Sequence, residues 1–558
     1  MSKQTGADAL IQTMINQGIK YVFGVPGAKV DRLFESLEHN NDPKTPKLII
    51  TRHEQNAAFI AAGIGRITGK PGVVATTSGP GVSNIVTPLI TATAEGDPVV
   101  AISGQVPRND IARLTHQAIA SKELLSAAAK DSVEVQDPNN LSESFANAYQ
   151  NSITAKAGAA FLSIPQDVLN DEVTRPVIDP LHKVHQGGMN QEVIDEIVDK
   201  IKAAKLPVIL AGMRSSTNEV TEAIHNFLHK FSIPVVETFQ GAGIISRDLE
   251  KNYYGRVGLF RNQIGDTILK ESDLIIAVGY DPIEYEARNW NIDRHGEIIN
   301  IDAVKPEITN DYQPDLIVNA DIAKTLNSVS ANLPEDIDLG ETMHQHLADE
   351  QVKFTKTDAI PENNSDKDGI HPLAIIHALQ NQVNDDTTVT VDVGSLYIWM
   401  ARHFRSYKPR HLLFSNGMQT LGVALPWAIA AALERPDQPI VSVAGDGGFL
   451  FSGQDLETAV RLHLNIVQLI WDDGYYDMVR FQEIAKYGHE SGVKLGHVDF
   501  VKYAESFGAT GMRVERTEDL EPMLAKAFDT KGPVILHIPV DYSDNIKLAS
   551  KLVDDVLN

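Results

Sequence analysis

The sequence predicts an α/β protein of three doubly wound domains, each built on a parallel sheet. With 558 residues the chain is too long for one core, since domains typically hold about 100 to 200 residues. Short runs of Val, Ile and Leu lead into Gly-rich turns and then amphipathic stretches, which is the pattern of buried parallel strands with crossover helices. This pattern occurs in each third of the chain, and polar connectors separate the thirds.

Strands are predicted where a short apolar run lies between turn-forming residues, and the N-terminal residues predict a capped amphipathic helix. In the first third the strands are Tyr21–Val25, Leu48–Ile50, Gly72–Thr77, Val99–Ser103 and Ala159–Ile164, with Pro165 closing the unit. In the middle third they are Pro207–Ala211, Pro234–Glu237, Leu274–Val278, Ile298–Ile301 and Leu316–Val318. In the last third they are Val389–Val393, Ile440–Val443, Ile466–Trp471 and Pro533–Ile538, with helices at Leu373–Gln382, Pro426–Leu433 and Asp455–Leu462.

The connectors set the domain boundaries. Residues around 170–188 are polar, and the stretch Thr355–Gly369 has almost no apolar residue, which is typical of a linker. The predicted domains therefore cover residues 1–170, 188–345 and 370–545. The first and the third have a similar length and pattern, which indicates a duplicated α/β unit.

Composition excludes several classes of function. The chain has 49 basic and 74 acidic residues, and its net charge of −25 repels polyanions, so we expect no nucleic-acid partner and no membrane partner. The sequence shows no apolar run of the roughly 18 residues that cross a bilayer and no signal-peptide pattern, so the expected location is cytoplasmic. Cysteine is absent, which excludes disulfides and Cys-ligated metals. A catalytic metal would have to bind oxygen or imidazole.

A glycine-rich loop, Gly445-Asp446-Gly447-Gly448, follows the strand Ile440–Val443. Glycines after a strand allow backbone amides to approach a phosphate, and the helix that follows adds a favourable dipole. A carboxylate in such a loop would repel a bare phosphate, so a bridging cation is required. Asp446 is therefore a candidate Mg²⁺ ligand. The alternative is a tight turn in which this Asp only caps a helix.

A second acidic pair, Asp472-Asp473, follows the next predicted strand, and 24 residues separate it from Gly447. That span is one strand-to-strand crossover, so the pair reaches the same carboxyl edge of the sheet as Asp446. Two carboxylates, a backbone carbonyl and two diphosphate oxygens would fill most of an octahedral Mg²⁺ shell. The pairing predicts a metal site that binds a diphosphate.

These two acidic positions together resemble the thiamine diphosphate-dependent enzymes, which carry Gly-Asp-Gly and, at a similar spacing, Asn-Asn or Asn-Asp. The chain departs from the pattern at Asp472, but the ligand position Asp473 keeps its oxygen. The resemblance implies that the cofactors are thiamine diphosphate and Mg²⁺, and that Asp446, Asp473 and the Tyr475 carbonyl hold the metal. The residues implied to bind the cofactor in these two loops are Gly445, Asp446, Gly447, Gly448, Asp473, Tyr475 and Tyr476.

A motif in the first domain, Arg52–Phe59 (RHEQNAAF), follows the strand Leu48–Ile50, so that Glu54 opens an Ala-rich helix. Taken without the rest of the sequence, this motif is explained by Glu54 as an acidic first-turn residue that interacts favourably with the helix dipole. Thiamine chemistry needs a carboxylic acid at the nitrogen of the aminopyrimidine ring. Because the motif precedes Gly72–Gly81 (GVVATTSGPG), it resembles the activating-glutamate segment of the family, which implies that Glu54 is this acid.

The resemblance covers essentially the whole chain, in the order pyrimidine-binding domain, central domain and diphosphate-binding domain. In the family, the glutamate domain of one subunit meets the diphosphate domain of another. The resemblance therefore implies self-association, with a homodimer as the minimum unit and a homotetramer as the expected one.

Residues that would act on the substrate are also assigned by the resemblance. Gln117, in the segment Leu114–Gln117, is implied to hydrogen-bond near the substrate carbonyl, and its ordinary alternative is a solvent-exposed Gln. The cation that would hold the substrate carboxylate stays open between Lys130 and Arg480. The flanking alanines of Lys130 depart from the family pattern.

The strip beneath the cofactor is implied to lie at Ser415–Pro426. Leu421, which stands 25 residues before Asp446, would wedge the two cofactor rings into their bent form, and a plain core Leu is the alternative. Gln419 would contact the reaction intermediate. The further cofactor contacts implied are Gly394, Ser395, Leu396 and Gln419.

The position 36 residues after Asp446 separates two classes in the family, because FAD-containing anabolic acetolactate synthases carry Trp there and accept a larger second 2-oxo acid. This chain has Gln482, which implies a preference for pyruvate alone. The segments Tyr475–Gln482 and Gly258–Gln263 resemble the catabolic acetolactate synthases of acetoin and butanediol formation, which hold no FAD. The implied reaction decarboxylates one pyruvate and adds the resulting enamine to a second, giving 2-acetolactate and CO₂.

Two alternatives stay open from the sequence. One is a 2-oxo acid decarboxylase or an FAD-dependent pyruvate oxidase with the same thiamine cofactor, which would differ in its product and in flavin absorption. The other is a non-catalytic nucleotide-binding or scaffold protein built on α/β domains, which would tolerate replacement of Glu54 by Gln.

Overall fold

The computed structural model of the chain describes residues 4–260, 262–291, 296–334, 338–361, 366 and 369–548. Within these ranges the backbone forms three six-stranded sheets in which neighbouring strands run parallel, which confirms the predicted fold class. The chain separates into two compact units, one formed by Met1–Val184, Gly422–Asp437 and Ser452–Ile466, and the other by His185–Leu421, Gln438–Phe451 and Val467–Asn558. In the described part of the chain we find no helix with the length and apolarity that a membrane span requires.

The first sheet lies in the first unit. Its strands are β1 (Tyr21–Gly24), β2 (Lys47–Ile50), β3 (Gly72–Thr76), β4 (Val99–Gln105), β5 (Asp131–Glu134) and β6 (Ala159–Pro165), in the order β2-β1-β3-β4-β6-β5. Its helices are α1 (Gly6–Asn16), α2 (Asp31–His39), α3 (Glu54–Thr68), α4 (Pro80–Ser83), α5 (Val86–Glu95), α6 (Ser121–Ser126), α7 (Leu141–Ile153) and α8 (Gln166–Asn170), with 3₁₀ turns at Arg108–Asp110 and Pro138–Asn140. The central strands β3, β4 and β6 are buried along their whole length, which explains their continuous apolar runs.

The second sheet lies in the second unit. Its strands are β7 (Pro207–Ala211), β8 (Val235–Thr238), β9 (Tyr253–Val257), β10 (Leu274–Val278), β11 (Glu297–Asp302) and β12 (Leu316–Asn319), in the order β12-β11-β10-β7-β8-β9. Its helices are α9 (Gln191–Ala203), α10 (Asn218–Lys230), α11 (Ile264–Glu271), α12 (Ala287–Trp290), α13 (Ile322–Asn332) and α14 (Glu341–Lys356), with 3₁₀ turns at Met213–Ser215 and Arg247–Asn252. Just after β7, the Arg214 guanidinium pairs with Asp302 at 2.6 Å and with Asp281 at 2.7 Å. An ion-pair network therefore crosses the carboxyl edge of this sheet.

The third sheet lies in the same unit. Its strands are β13 (Thr388–Val391), β14 (Leu412–Phe414), β15 (Ile440–Gly445), β16 (Val467–Asp472), β17 (Thr510–Arg513) and β18 (Val534–Pro539), in the order β14-β13-β15-β16-β18-β17. The helices of this part of the chain are α15 (Pro372–Gln382), α16 (Ser395–His403), α17 (Ala424–Glu434), α18 (Asp446–Phe449), α19 (Leu456–Arg461), α20 (Asp477–Tyr487), α21 (Phe500–Ser506), α22 (Leu520–Asp529) and α23 (Asn545–Leu548), with 3₁₀ turns at Gly453–Asp455 and Thr517–Asp519. Counted from its own first strand, this order repeats that of the first sheet, which agrees with the duplication that the sequence indicates.

Every predicted strand and helix is present within one or two residues of its predicted bounds, including α1, which Thr5 caps. The prediction missed β5, β9, β14 and β17, and all four are edge strands of their sheets. An edge strand lacks a neighbour on one side, so its sequence need not be a continuous apolar run. In β9 the pattern is broken by Arg256, whose buried guanidinium pairs with Glu237.

The prediction of a linker from Thr355 was wrong at its start, because α14 continues to Lys356. The Phe354 ring packs edge-on against Tyr253 at a centroid distance of 5.7 Å, and this contact holds the last turn of the helix. Residues 357–361, 366 and 369 lie outside named helices and strands, and positions 362–365, 367 and 368 of the predicted linker lie outside the described residues.

Candidate active site

The carboxyl edge of the third sheet gathers the loops that the sequence singled out. Its strand order reverses between β13 and β15, and ligands of open parallel sheets bind at such a switch point. Gly394 follows β13, and Asp446 follows β15. Gly445 is in register with Trp471, so Asp446 and Asp472 leave neighbouring strands side by side. The two acidic loops therefore lie at the same edge of the sheet, as predicted.

A cavity of about 270 Å³ opens at this edge. The sequence-predicted residues that line it are Gly394, Ser395, Leu396, Gln419, Leu421, Gly445, Asp446, Gly447, Gly448, Asp473, Tyr475, Tyr476 and Gln482. Every residue that the sequence proposed for cofactor binding or catalysis in the second unit thus borders one space. The lining residues that the prediction missed are Val393, Trp471, Asp477, Met478, Val479 and Tyr542.

The two predicted metal ligands are buried acids with raised pKa values. Burial, with a smaller contribution from the charge of Asp472, raises the pKa of Asp446 to about 7. Burial, with the charges of Asp477 and Asp446, raises the pKa of Asp473 to about 8. Among the described residues, Asp473 Oδ2 is buried without a hydrogen-bond partner. Ionised carboxylates in this position need a cation, and a divalent metal that prefers oxygen would supply one.

Asp472, where the chain departs from the family pattern, has a partner of its own. His537 Nε2 lies 2.7 Å from Asp472 Oδ2, and Arg513 donates to His537 Nδ1 at 2.9 Å. Because the guanidinium can only donate, the imidazole must accept at Nδ1 and donate at Nε2. Burial alone would raise the pKa of Asp472, but the hydrogen bond from His537 lowers it. The imidazole hydrogen-bonds Asp472. Of the acidic pair, Asp473 is therefore the residue that lines the cavity.

The glycines of the loop are required by close packing. A Cβ at Gly447 would lie 2.6 Å from the Tyr476 ring, and one at Gly448 would lie 2.8 Å from Asp392 Oδ1. The same added Cβ at Gly448 would also lie 3.6 Å from Leu421 Cδ2. The predicted apolar wedge residue therefore lies directly against the glycine loop that carries the predicted metal ligand Asp446.

One wall of the cavity is the start of α20, which a buried polar cluster fixes. Ser395 Oγ donates to Asp477 Oδ2 at 2.7 Å, and Asn545 Nδ2 donates to Ser395 Oγ at 2.9 Å. Trp399 Nε1 donates to the side-chain oxygen Oδ1 of Asn545 at 2.7 Å. The cluster joins residues far apart in sequence, so no local motif indicates the contacts that Asp477 makes with Ser395 and Asn545.

Glu54 opens α3 in the first unit, as predicted, and both sides of its segment are anchored. His53 caps the helix by accepting the Gln55 N–H at 3.1 Å. The buried Asp455 accepts the Arg52 N–H at 2.9 Å and a hydrogen bond from the Asn56 side chain. The backbone around Glu54 is therefore fixed.

The second predicted residue of this unit, Gln117, packs against the glycine turn Gly79–Gly81, which Glu54 also borders. A Cβ at Gly79 would lie 3.2 Å from Gln117 Cβ, and one at Gly81 would lie 3.7 Å from Glu54 Oε1. The ammonium of Lys130, by contrast, donates to the carbonyl oxygens of Asn151 and Thr154, each at 2.6 Å. The ammonium of Lys130, one of the two predicted substrate-binding cations, is thus hydrogen-bonded to two backbone carbonyls.

The other cation considered for the substrate, Arg480, lies on α20. Its Nε donates to Glu490 at 2.6 Å, and its guanidinium stacks over the Tyr475 ring at 4.0 Å. Burial opposes the charge of Arg480, but the hydrogen bond to Glu490 and nearby acids raise its pKa. This side chain stays charged beside a predicted metal-binding residue.

Two of the predicted catalytic residues carry backbone strain. Gln117 has φ +64° and Gln419 has φ +49°, which place non-glycine residues in the left-handed region. Such a conformation costs about 1 to 2 kcal/mol per residue and is retained where the surrounding structure imposes it, most often at functional sites.

Comparison with known families agrees with this geometry. Residues 4–124 match the family "Thiamine pyrophosphate enzyme, N-terminal TPP binding domain", residues 194–329 match the corresponding central domain, and residues 392–538 match the C-terminal TPP binding domain. The name thiamine pyrophosphate denotes the same compound as thiamine diphosphate. The last range contains both loops that carry the predicted metal ligands Asp446 and Asp473.

The chain is also similar over its length to curated proteins. It is 47% identical to "Acetolactate synthase" of Bacillus subtilis (strain 168), over 98% of this chain and 95% of that protein. It is 43% identical to "Acetolactate synthase, catabolic" of Raoultella terrigena, over 98% and 97% of the two chains. It is 30% identical to "Probable acetolactate synthase large subunit" of Methanocaldococcus jannaschii, over 97% and 93%.

Proposed function

The chain belongs to the thiamine pyrophosphate enzymes, and on this premise we propose that it is an acetolactate synthase, which joins two pyruvate molecules to 2-acetolactate with release of CO₂. The observation that carries the proposal is the cavity at the switch point of the third sheet, where Asp446, Asp473 and a glycine loop meet. Membership of the family makes thiamine diphosphate the cofactor.

The residues at this edge fit thiamine diphosphate held through Mg²⁺. Asp446, Asp473 and the Tyr475 carbonyl are the metal ligands that we propose. The unpartnered Asp473 Oδ2 supports them, because a buried acceptor without a donor is stabilised by a cation. The glycine loop would leave backbone amides open to the diphosphate.

When bound, thiamine diphosphate supplies a nucleophilic carbon and an electron sink for decarboxylation. The chain must supply the rest. Glu54 would hold the proton at the aminopyrimidine nitrogen, and Gln117 and Gln419 would orient the substrate by hydrogen bonds. Apolar lining residues such as Leu396 and Met478 would exclude water, which would otherwise divert the reaction to acetaldehyde.

The specificity for pyruvate would depend on Gln482, which lines the cavity. We expect Gln482→Trp to raise the share of the mixed product, formed from pyruvate and 2-oxobutyrate, by about tenfold when both acids compete, because an apolar ring adds contacts to the longer chain. The measurement is the product ratio by mass spectrometry. Ile484→Trp is the control, since it adds the same ring on an exposed part of the same helix. An unchanged ratio in Gln482→Trp would contradict the assignment.

The raised pKa values predict how pH affects cofactor binding. The pKa values of Asp446 (about 7) and Asp473 (about 8) exceed the ordinary 3.8, so the folded protein without metal binds more protons than the unfolded chain in this range. Its free energy of unfolding should therefore fall as the pH rises from about 4 to about 8. Mg²⁺ needs both carboxylates ionised, so the rise in Tm that Mg²⁺ and thiamine diphosphate cause should grow over the same range. Thermal unfolding with and without both ligands measures this difference. A difference independent of pH would oppose these two acids as ligands.

The decisive test of function is a product assay. The purified protein with pyruvate, thiamine diphosphate and Mg²⁺ should form a product that acid converts to acetoin. Acetaldehyde without acetolactate would indicate a decarboxylase, and acetyl phosphate with bound flavin would indicate an oxidase. Failure of the two ligands to raise the Tm would favour a non-catalytic protein.

The finer features of the proposal follow from the family resemblance. We propose a catabolic role in acetoin or butanediol formation, a cytoplasmic location and self-association into at least a homodimer, with a homotetramer as the expected form. In that assembly the Glu54 of one copy would serve the cofactor bound by another. Sedimentation of the purified protein would measure its oligomeric state.

A further inference from the structure

The carboxyl group of Glu54 has a side-chain partner that the sequence did not identify. Asn84 Nδ2 donates to Glu54 Oε2 at 3.0 Å. The other oxygen, Oε1, faces Gly81, where even an added Cβ would stay 3.7 Å away. The two oxygens of this acid therefore have different surroundings. One is occupied by an amide, and the other borders a residue without a side chain.

The position of Asn84 is set by its own backbone. The Asn84 N–H donates to the Pro80 carbonyl at 3.0 Å and ends the short helix α4, which begins beside the Gly79 turn. With the segment of Glu54 held from the other side by Asp455, the geometry of the amide and the carboxyl group is fixed at both ends.

The chemistry of the pair determines where a proton can lie. The NH₂ group of an amide donates and does not accept, and a carbonyl oxygen accepts more strongly than a hydroxyl oxygen. When Glu54 is neutral, Oε2 therefore remains the carbonyl oxygen facing Asn84. Its proton then lies on Oε1.

We propose that Asn84 is a positioning residue that directs the Glu54 proton onto Oε1, the oxygen that would face the aminopyrimidine ring of thiamine diphosphate. This inference rests on the proposed function, because it assigns Glu54 to that ring. Asn84 would not touch the substrate. It would act through Glu54 alone, by keeping the donor oxygen and the acceptor oxygen of the acid from exchanging roles.

The test is the exchange of the cofactor C2 proton with deuterium, followed by quenching and NMR, in the full chain with thiamine diphosphate and Mg²⁺ and without pyruvate. Asn84→Ala should slow this exchange by about tenfold to a hundredfold, the effect of losing one hydrogen bond to an acid. Its apparent affinity for the cofactor, from the ligand-induced rise in Tm, should change by less than about threefold. Ser83→Ala, at the exposed neighbouring position on α4, is the matched control and should change neither value.

Glu54→Gln separates this inference from the proposed function. If exchange stays fast in Glu54→Gln, Glu54 has no role in proton transfer and the inference about Asn84 fails with it, whereas failure of the proposed function itself would appear as absence of acetolactate in the product assay. If Glu54→Gln is slow but Asn84→Ala matches the original protein, the inference about Asn84 alone is overturned. In the double variant, Asn84→Ala should add no further loss, and an equal loss in both backgrounds would show that Asn84 acts elsewhere.

Should Asn84→Ala not fold, Asn84→Asp keeps the size and removes the donor. Slow exchange in that variant supports the proposal, and normal exchange overturns it.

Discussion

Replacement of Glu54 by Gln is expected to lower the rate of acetolactate formation by about a hundredfold to ten-thousandfold, the contribution of a positioned acid–base group. Gln has the same size and can still accept the hydrogen bond from Asn84. It cannot carry the carboxylic proton that the aminopyrimidine nitrogen requires. The loss should therefore be in kcat, with little change in the Tm, and steady-state assays of acetoin after acidification measure it.

The control for this prediction addresses the simpler explanation of Glu54 as a helix-dipole residue. Glu123 is exposed in the first turn of α6, so Glu123→Gln removes the same charge from the same kind of position. A dipole interaction of this kind contributes about 0.3 to 1 kcal/mol to stability and nothing to the reaction. If the two variants kept similar activity, Glu54 would have no role in proton transfer.

Replacement of Asp473 by Ala should abolish the rise in Tm that Mg²⁺ and thiamine diphosphate cause together, and activity with it. Ligand at about a hundred times its Kd stabilises a protein by about 2.7 kcal/mol, and this gain disappears when the metal site loses a ligand. Without ligands, the variant should be at least as stable as the original protein near pH 8, because it lacks a buried acid whose ionisation is unfavourable. Thermal unfolding of both proteins, with and without the ligands, measures both effects.

Asp473→Asn is the matched variant. It keeps an oxygen in place, and the family itself carries Asn at this position, so a large part of the ligand-dependent stabilisation should remain. Equal losses in the Ala and Asn variants would mean that charge, rather than an oxygen ligand, is what the site requires. Normal stabilisation in the Ala variant would remove Asp473 from the metal site.

The sequence predicted those parts of the fold that local pattern determines. Buried central strands such as β10 have continuous apolar sequences, and the prediction for this strand matches its bounds. The edge strand β5 is only half-buried, so its sequence carries polar residues and was missed, whereas the missed edge strand β14 is buried and apolar but only three residues long. The helix α14 continues into the predicted linker as far as Lys356, where a ring contact of Phe354 with a distant strand packs its last turn despite the polar residues around it.

The site could be predicted where its residues follow strands, and not where they meet by tertiary packing alone. Asp446 and Asp473 were found because both follow strands of one parallel sheet, whose carboxyl ends share an edge. Tyr542 and Asn545 come after the last strand, and nothing near them in sequence indicates that they reach the cavity wall. Asn84 contacts Glu54 across 30 residues, a distance at which periodicity carries no information.

The repeated strand order of the first and third sheets would separate the two acids to which we assign opposite tasks. A metal ligand must give up its proton, whereas a proton donor must retain one, and neighbouring acids would titrate as a coupled pair. Each copy of the fold presents its own strand ends, so Glu54 follows a strand of the first sheet and Asp446 follows a strand of the third. Under the proposed roles, a mutation that changes the acidity of one group would therefore leave the acidity of the other unchanged.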